Sequence, residues 1–267
     1  MDLEADVRAV VSDRPGTFGI YARNLGTGDT VGVDAHRVMN TQSAAKTFIL
    51  VHYSRLVTAG SLDPAGRIDL TADDTIYGTG VLRYLAPGLR PTLRDLAWLM
   101  VIVSDNVATQ LLLRAVGGAD AVNTTMTGLG LATARVNPAF FPAPTDSISD
   151  EPFGTSTPGD LAEVYTHLDE HCREILFRQQ FVDYLPRTLP HLSFSKDWGF
   201  DMPVRVYNKT GNGLGDCVDS GLFETDDAAW VVAAMATGQQ DFAMRPGDAA
   251  PSAFAEIGQL LYERWGT

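Results

Sequence analysis

Lysine is scarce in this sequence of 267 residues. Only Lys46, Lys196 and Lys209 among the twenty basic residues are lysine, and the rest are arginine. A lysine can lose its proton when it is buried near other cations, whereas an arginine stays charged. The lysines are therefore the basic residues best able to act as a base, and Lys46 and Lys209 lie in short polar motifs.

Cysteine and net positive charge are also scarce. The two cysteines, Cys172 and Cys217, form no C-x-x-C pair, and the five histidines show no metal-ligand spacing. Neither a metal site nor a disulfide framework is therefore predicted. The formal net charge of −13 argues against nucleic acids and anionic membranes as partners.

Long apolar runs are missing as well. The first residues do not combine a basic segment with an apolar one, and no apolar run approaches membrane-spanning length. We therefore expect a cytoplasmic protein with no membrane partner, and no protein partner is predicted. A sequence trimmed to a mature start would look the same, so an exported protein is the alternative.

Helical and strand patterns divide the chain into two parts. Apolar residues at helical spacing predict a first helix over Leu3 to Val11, followed by a β-hairpin. Strand patterns return late in the chain before a final amphipathic helix, whereas the middle is typical of helices separated by loops. We predict an α/β domain built from residues 1–37 and 192–267. An all-α domain, residues 38–191, is inserted between them, with the active site in the cleft.

Ser43 and Lys46 form an S-x-x-K motif that opens an apolar run typical of a helix. Residues three apart share a helix face, so the hydroxyl and the amine are expected to meet. Free backbone N–H groups at a helix N-terminus also favour negative charge on a nucleophilic serine. The alternative is that Ser43 caps the helix and Lys46 is a solvated surface residue. A second copy, Ser193 to Lys196, precedes a turn and is set aside.

Two further motifs follow. Ser104-Asp105-Asn106 lies at a predicted helix-to-helix junction, where such residues most often serve only as a helix cap. Lys209-Thr210-Gly211 ends a strand predicted from Val204 to Asn208. Three motifs in this order and in these contexts rarely coincide by chance, and together they predict a serine acyl-transfer site.

On these motifs the chain resembles the penicillin-recognising serine enzymes, and within them the class A β-lactamases. The resemblance covers nearly the whole chain and includes the segments Gly78 to Leu82 and Thr155 to Pro158. It implies an α/β plus all-α protein of the class A β-lactamase and D,D-peptidase-like fold. In this fold an antiparallel sheet flanked by the N- and C-terminal helices carries an inserted helical domain.

The resemblance also implies catalytic roles. Ser43 is the expected nucleophile, Lys46 is its base, and Ser104 helps to move the proton to the leaving group. Lys209 near Lys46 would disfavour a second positive charge, so that one amine can be neutral and act as a base. No metal or organic cofactor is expected.

Further residues are expected to contact the substrate. Asn106 would orient the substrate and Lys46, and Tyr77 would lie on the rim of the cleft. Backbone N–H groups of Ser43 and Asn212 would form the oxyanion hole. The residues expected on the far wall, which binds an anionic substrate group, are Lys209, Thr210, Gly211 and Asn212.

The loop before the Thr157-Pro158 helix departs from the family pattern. Class A β-lactamases carry there a glutamate that activates the water for deacylation, but residues 137–145 of this chain contain no acid. The next carboxylates are Asp146, Asp150 and Glu151. We interpret them as solvated loop acids, with a rerouted loop that brings one to the site as the alternative.

The segment after the Lys-Thr-Gly motif departs as well. Many relatives place an arginine there that binds the substrate carboxylate, whereas this chain has Asp216 and Asp219. Loss of this clamp and gain of two acids argue against a standard β-lactam carboxylate as the natural ligand. Arg83 or Arg187 could substitute, although the sequence does not position them.

These observations predict a serine hydrolase that acts on a small-molecule amide or ester, β-lactam-like, through an acyl-enzyme on Ser43. Deacylation by water is expected to be weak. The alternatives are a transacylase or esterase of small-molecule biosynthesis, an efficient class A β-lactamase, and a non-catalytic protein that binds the same ligands.

Overall fold

The computed structural model describes residues 2–74, 76, 78–138, 152–179, 204–240 and 247–266. Eight strands and eight α-helices lie in this part of the chain. Within the same ranges, no helix combines the length and the apolar character needed to cross a bilayer.

The main sheet is antiparallel and draws its strands from both ends of the chain. Its spatial order is β2-β1-β8-β7-β6. These strands are β1 Thr17–Asn24, β2 Thr30–Val33, β6 Arg205–Gly213, β7 Asp216–Glu224 and β8 Ala229–Thr237. Strand β1 pairs with β8 in a register that sets Ile20 opposite Ala234, which joins the two ends of the chain within one sheet. Strand β6, which contains the Lys-Thr-Gly motif, forms one edge of the sheet.

Two terminal helices cover one face of this sheet. Helix α1, Leu3–Ser12, begins at the N-cap Asp2, whose side chain accepts from the backbone N–H of Glu4 at 3.1 Å. Helix α8 spans Ala249–Trp265, and its Phe254 ring meets Phe18 of β1 edge to face at 6.4 Å. Alternate residues of the strands therefore bury their side chains under α1 and α8.

The helices between β2 and β6 cover the other face. They are α2 Lys46–Thr58, α3 Leu93–Ile102, α4 Asn106–Ala115, α5 Gly118–Gly128, α6 Pro158–Glu163 and α7 Glu170–Gln179. Helix α2 is central, since all its residues from Lys46 to Ser54 are buried. One apolar cluster contains residues of these helices together with Val218 and Met235 of the sheet. The division into two domains with the predicted bounds stays a prediction.

A small second sheet lies beside the start of α2. Its strands are β3 Met39–Asn40, β5 Gly154–Ser156 and β4 Arg135–Val136, in that spatial order. The backbone N–H of Thr41 donates to the carbonyl of Gly154 at 3.0 Å. This contact fixes the entry of the chain into the segment that carries Ser43.

The predicted end of the Lys-Thr-Gly strand was wrong. Strand β6 continues through this motif to Gly213, which pairs with Asp216 of β7. Glycine usually interrupts strands, but here the missing side chains allow close packing. A Cβ atom on Gly211 would lie 2.4 Å from the carbonyl oxygen of Thr41.

Candidate active site

Ser43 lies in a 3₁₀ turn, Gln42–Ala45, that leads directly into α2. It is partly exposed, whereas the following Ala44 and Ala45 are fully buried. The sequence predicted Ser43 at the N-terminus of the α-helix itself, but that helix begins at Lys46. The left-handed φ of Gln42, 49°, prevents the α-helix from extending back through this residue.

Lys46 is not a solvated surface residue. Its side chain is 1% exposed, and its Nζ atom lies 2.6 Å from the carbonyl oxygen of Ser104. The same nitrogen lies 2.9 Å from Ser104 Oγ and 2.9 Å from Asn106 Oδ1. The ring of Phe153 lies on another side, with its centroid 5.8 Å from Nζ. The structure thus brings the first two motifs into direct contact.

The surroundings of Lys46 favour a neutral amine. Burial holds the pKa of Lys46 well below its usual value, and the charge of Lys209 lowers it further, while Asp105 acts in the opposite direction. A neutral amine can donate two hydrogens to the two carbonyl oxygens and accept the hydrogen of the Ser104 hydroxyl on its lone pair. The geometry therefore provides a path for a proton between Ser104 and Lys46.

The Ser-Asp-Asn loop is held by Asp105. Asp105 is fully buried and caps α4 by accepting from the backbone N–H of Ala108 at 2.9 Å. Its other oxygen accepts from the backbone N–H groups of Val81 at 2.7 Å and Leu82 at 2.9 Å. The loop that carries Ser104, at a left-handed φ of 54°, is thus tied to the neighbouring segment.

Two glycines, Gly78 and Gly80, lie beside the Ser-Asp-Asn loop. In the structure both have a positive φ, 116° and 115°, and both pack closely against the Ser-Asp-Asn loop. A Cβ atom on Gly80 would lie 2.3 Å from Asp105 Cγ, and one on Gly78 would lie 2.3 Å from Asn106 Nδ2. Close approach, as well as backbone conformation, therefore requires glycine here.

The Lys-Thr-Gly motif lies on β6 against the serine turn. Lys209 is 1% exposed, and Thr210 is also buried. The Nζ atom of Lys209 lies 3.0 Å from the carbonyl oxygen of Thr210. A Cβ atom on Gly211 would lie 3.0 Å from the backbone nitrogen of Ala44, so β6 and the turn are in contact. Asn212 follows in the same strand, and its Oδ1 atom is buried with no hydrogen-bond partner in the described structure.

A buried hydrogen-bonded chain links α2 to β6. The Tyr165 hydroxyl lies 3.2 Å from Thr47 Oγ1 and 3.1 Å from Ser220 Oγ. Ser220 Oγ in turn lies 3.4 Å from the carbonyl oxygen of Lys209. Burial raises the pKa of Tyr165, so its hydroxyl stays protonated. Thr47, Tyr165 and Ser220 were not predicted as neighbours of the site, because their sequence context carries no motif.

The two acids after the motif were interpreted as an argument against a substrate carboxylate, but the structure buries both and pairs them with neighbouring side chains. Asp219 accepts from Asn208 Nδ2 at 2.9 Å. Asp216 accepts from Asn40, Gln42 and Thr237. They are therefore not charges displayed to a ligand.

Several predicted residues fall outside the described residues. These are Tyr77, the loop acids Asp146, Asp150 and Glu151, the alternative arginine Arg187, and the second S-x-x-K copy, Ser193 to Lys196. The other alternative, Arg83, donates to the carbonyl of Gly78 at 3.1 Å, and its guanidinium lies 5.2 Å from the centroid of Tyr84.

Curated relatives support one family. The carbapenem-hydrolyzing beta-lactamase KPC of Klebsiella oxytoca is 30% identical over 182 residues, 65% of this chain and 59% of that protein. A beta-lactamase of Streptomyces lavendulae is 29% identical over 175 residues, 62% of this chain and 55% of that protein. The matches thus span less than two thirds of these relatives. A beta-lactamase of Streptomyces cellulosae is 27% identical over 248 residues, 91% of this chain and 78% of that protein.

Solved structures share the fold. A beta-lactamase from Sphaerobacter thermophilus DSM 20745 has a TM-score of 0.80 at 27% identity, covering 98% of this chain and 96% of that one. An ancestral class A beta-lactamase has a TM-score of 0.79 at 22% identity, with coverage of 98% and 100%. The predicted fold class is confirmed. Residues 2–265 match Beta-lactamase2, the beta-lactamase enzyme family, and the chain belongs to that family.

Proposed function

We propose that this protein is a serine hydrolase that acts on β-lactam-like amides or esters through an acyl-enzyme on Ser43. The observation that carries the proposal is the buried amine of Lys46, held by Ser104 and Asn106 one helical turn from Ser43. Burial, together with the charge of Lys209, lowers the pKa of this amine and so favours its neutral, basic form. The beta-lactamases among the relatives support β-lactam-type substrates.

Acylation would proceed with Ser43 as the nucleophile. Its Oγ atom bonds to the substrate carbonyl carbon while its proton passes to the neutral amine of Lys46. The carbonyl oxygen becomes an oxyanion, for which the backbone N–H groups of Ser43 and Asn212 are the proposed donors. The bond to the leaving nitrogen or oxygen then breaks, and Ser104 returns the proton from Lys46 to the leaving group.

The far wall would bind the rest of the substrate. Lys209 and Thr210 are the proposed binding groups for an anionic substituent, with Gly211 allowing the strand to approach the nucleophile. Asn106 accepts from Lys46 through Oδ1 and would orient both the amine and the substrate. Tyr77 remains a proposed rim contact.

We expect deacylation by water to be slow. Residues 137–145 contain no carboxylate that could activate a water molecule. The acyl-enzyme should therefore accumulate unless an added amine or alcohol accepts the acyl group.

The test is intact-protein mass spectrometry after mixing with a penicillin, a cephalosporin and an activated ester. We expect an adduct in the wild type that disappears in Ser43→Ala. Ser193→Ala, in the second S-x-x-K copy, is the matched control and should acylate like the wild type.

Other outcomes would separate the alternatives. Rapid turnover without an adduct would contradict slow deacylation and favour an efficient β-lactamase. Release of the adduct only by an added amine or alcohol would favour a transacylase. If the wild type forms no adduct and turns over no probe, the hydrolase proposal fails and a ligand-binding protein is favoured.

A further inference from the structure

The backbone before the proposed nucleophile has an unusual conformation. Among the described residues, three that are not glycine have a positive φ, namely Asp34, Gln42 and Ser104. Two of them belong to the candidate site, and Gln42 directly precedes Ser43. A left-handed φ is costly for a residue with a side chain and persists only where the surroundings impose it. The structure must therefore contain contacts that hold Gln42.

One such contact is made by the side chain of Gln42. Its Nε2 atom donates to Asp216 Oδ2 at 2.7 Å. To reach Asp216, the side chain lies over Gly213, where an added Cβ atom would come within 2.4 Å of Nε2. The side chain of the residue before the nucleophile thus crosses the β6–β7 hairpin and is hydrogen-bonded to Asp216. This Gln42–Asp216 hydrogen bond is called the tie.

The accepting carboxylate is itself fixed. Asp216 is 6% exposed, and besides Gln42 it accepts from Asn40 Nδ2 at 3.1 Å and from Thr237 Oγ1 at 2.6 Å. The ion pairs formed by the described residues do not include Asp216. Three neutral side chains, two from residues 40–42 and one from β8, therefore converge on one buried acid, a geometry with little freedom to move.

We propose that Asp216 and Gln42 are positioning residues for the acylation of Ser43. This inference rests on the proposed function. The tie holds Gln42 in its left-handed conformation and thereby sets the direction of the Ser43 hydroxyl and of the Ser43 backbone N–H group. Neither residue carries out a bond-making step. Their effect is on the rate of acylation at saturating probe rather than on the affinity for the probe.

The decisive comparison uses two donors to the same oxygen. Gln42→Met removes one donor to Asp216 Oδ2 while keeping the length of the side chain, and Asn40→Met removes the other donor at a position further from Ser43. We expect Gln42→Met to lower the saturating acylation rate at least tenfold and to change the half-saturating probe concentration less than threefold. Asn40→Met should stay within threefold of the wild type on both measures.

Asp216→Ala tests the acceptor of the same bond. It should lower the saturating rate at least as much as Gln42→Met, and its midpoint of thermal unfolding reports any general loss of structure. An unchanged rate in Gln42→Met would overturn the proposal. An equal loss in Asn40→Met would also overturn it, because the carboxylate would then act only on the stability of the region.

Hydrogen exchange separates failure of this proposal from failure of the proposed function. We expect faster exchange of the backbone amides of residues 43–45 in Gln42→Met than in the wild type, and no such change in Asn40→Met. This readout needs no substrate. If the wild type acylates no probe, the hydrolase proposal fails, while the exchange result still supports or overturns the tie.

Discussion

Two buried carboxylates hold opposite sides of the candidate site, and they use different donors. Asp105 accepts from three backbone N–H groups, those of Val81, Leu82 and Ala108. Asp216 accepts from three side chains. Backbone donors cannot turn away without a change in the local fold, whereas side chains can rotate to other partners. The comparison predicts that Asp105 mainly determines stability, while Asp216 mainly determines the geometry of the reacting groups.

The largest stability effect is expected for Asp105→Ala. Three backbone N–H groups, two of them buried, would lose their acceptor, which predicts a loss of about 4 kcal/mol in the free energy of unfolding. Urea unfolding followed by circular dichroism measures it. Asp105→Asn, which keeps one acceptor oxygen, is the control and should lose less. A loss below about 1 kcal/mol in Asp105→Ala would show that the loop is held by other contacts.

Two glycines sharpen the same contrast. Gly80→Ala combines a φ of 115° with a Cβ atom 2.5 Å from the main-chain Cα of Asp105, and should cost about 3 kcal/mol of unfolding free energy. In Gly213→Ala the new methyl group meets only the movable end of Gln42. We expect a loss below about 1 kcal/mol for this variant, together with slower acylation. Calorimetry of the two variants measures their stability, and single-turnover kinetics measures their acylation rates. An equal loss of stability in the two variants would contradict the proposed difference between Asp105 and Asp216.

The charge of Lys209 should be visible in the pH dependence of acylation. Acylation needs a neutral Lys46, so its rate rises with pH through the pKa of that amine. Burial lowers this pKa most and repulsion by Lys209 lowers it further, so Lys209→Met should move the midpoint upward. An activated ester without a carboxylate is the right probe, because binding of an anionic group is then not involved. A midpoint that stays in place or falls would contradict the electrostatic coupling.

The smallest expected effect concerns the hydrogen-bonded chain that joins Thr47, Tyr165 and Ser220. Tyr165→Phe removes the hydroxyl between Thr47 and Ser220 and should cost about 1–2 kcal/mol of unfolding free energy. Tyr53→Phe is a matched control, since the Tyr53 hydroxyl is buried without a partner in the described structure. Its removal should be neutral or slightly stabilising. Chemical unfolding of both variants measures the two changes in unfolding free energy. A similar loss in each would mean that the hydrogen bonds of Tyr165 do not stabilise the fold.

The sequence was most informative where chemistry depends on local spacing. Asp105 could be interpreted as a helix cap from its position between two apolar runs, and it does cap α4. The meeting of the Ser43 hydroxyl with the Lys46 amine, expected because three residues span about one helical turn, stays a prediction. Scarcity of lysine added weight to Lys46 and Lys209. The fold class followed from the order of motifs and the resemblance that they carry.

Features that depend on strand register and on close approach were not predictable. Asp216 and Asp219 were misinterpreted because the face on which a strand residue lies depends on pairing with distant strands. The Lys-Thr-Gly motif was predicted to end a strand, whereas packing of Gly211 against the serine turn lets β6 continue through it.

The central claim is that Lys46 acts as a neutral base for Ser43, and Lys46→Arg tests it most directly. Arginine keeps hydrogen-bond donors near Ser104 and Asn106 but stays charged and cannot lose its proton. Single-turnover acylation by an activated ester, measured by rapid quench and mass spectrometry, should slow by about 1000-fold. Circular dichroism should confirm that the variant is folded. A folded Lys46→Arg protein that acylates within about tenfold of the wild type would contradict the account.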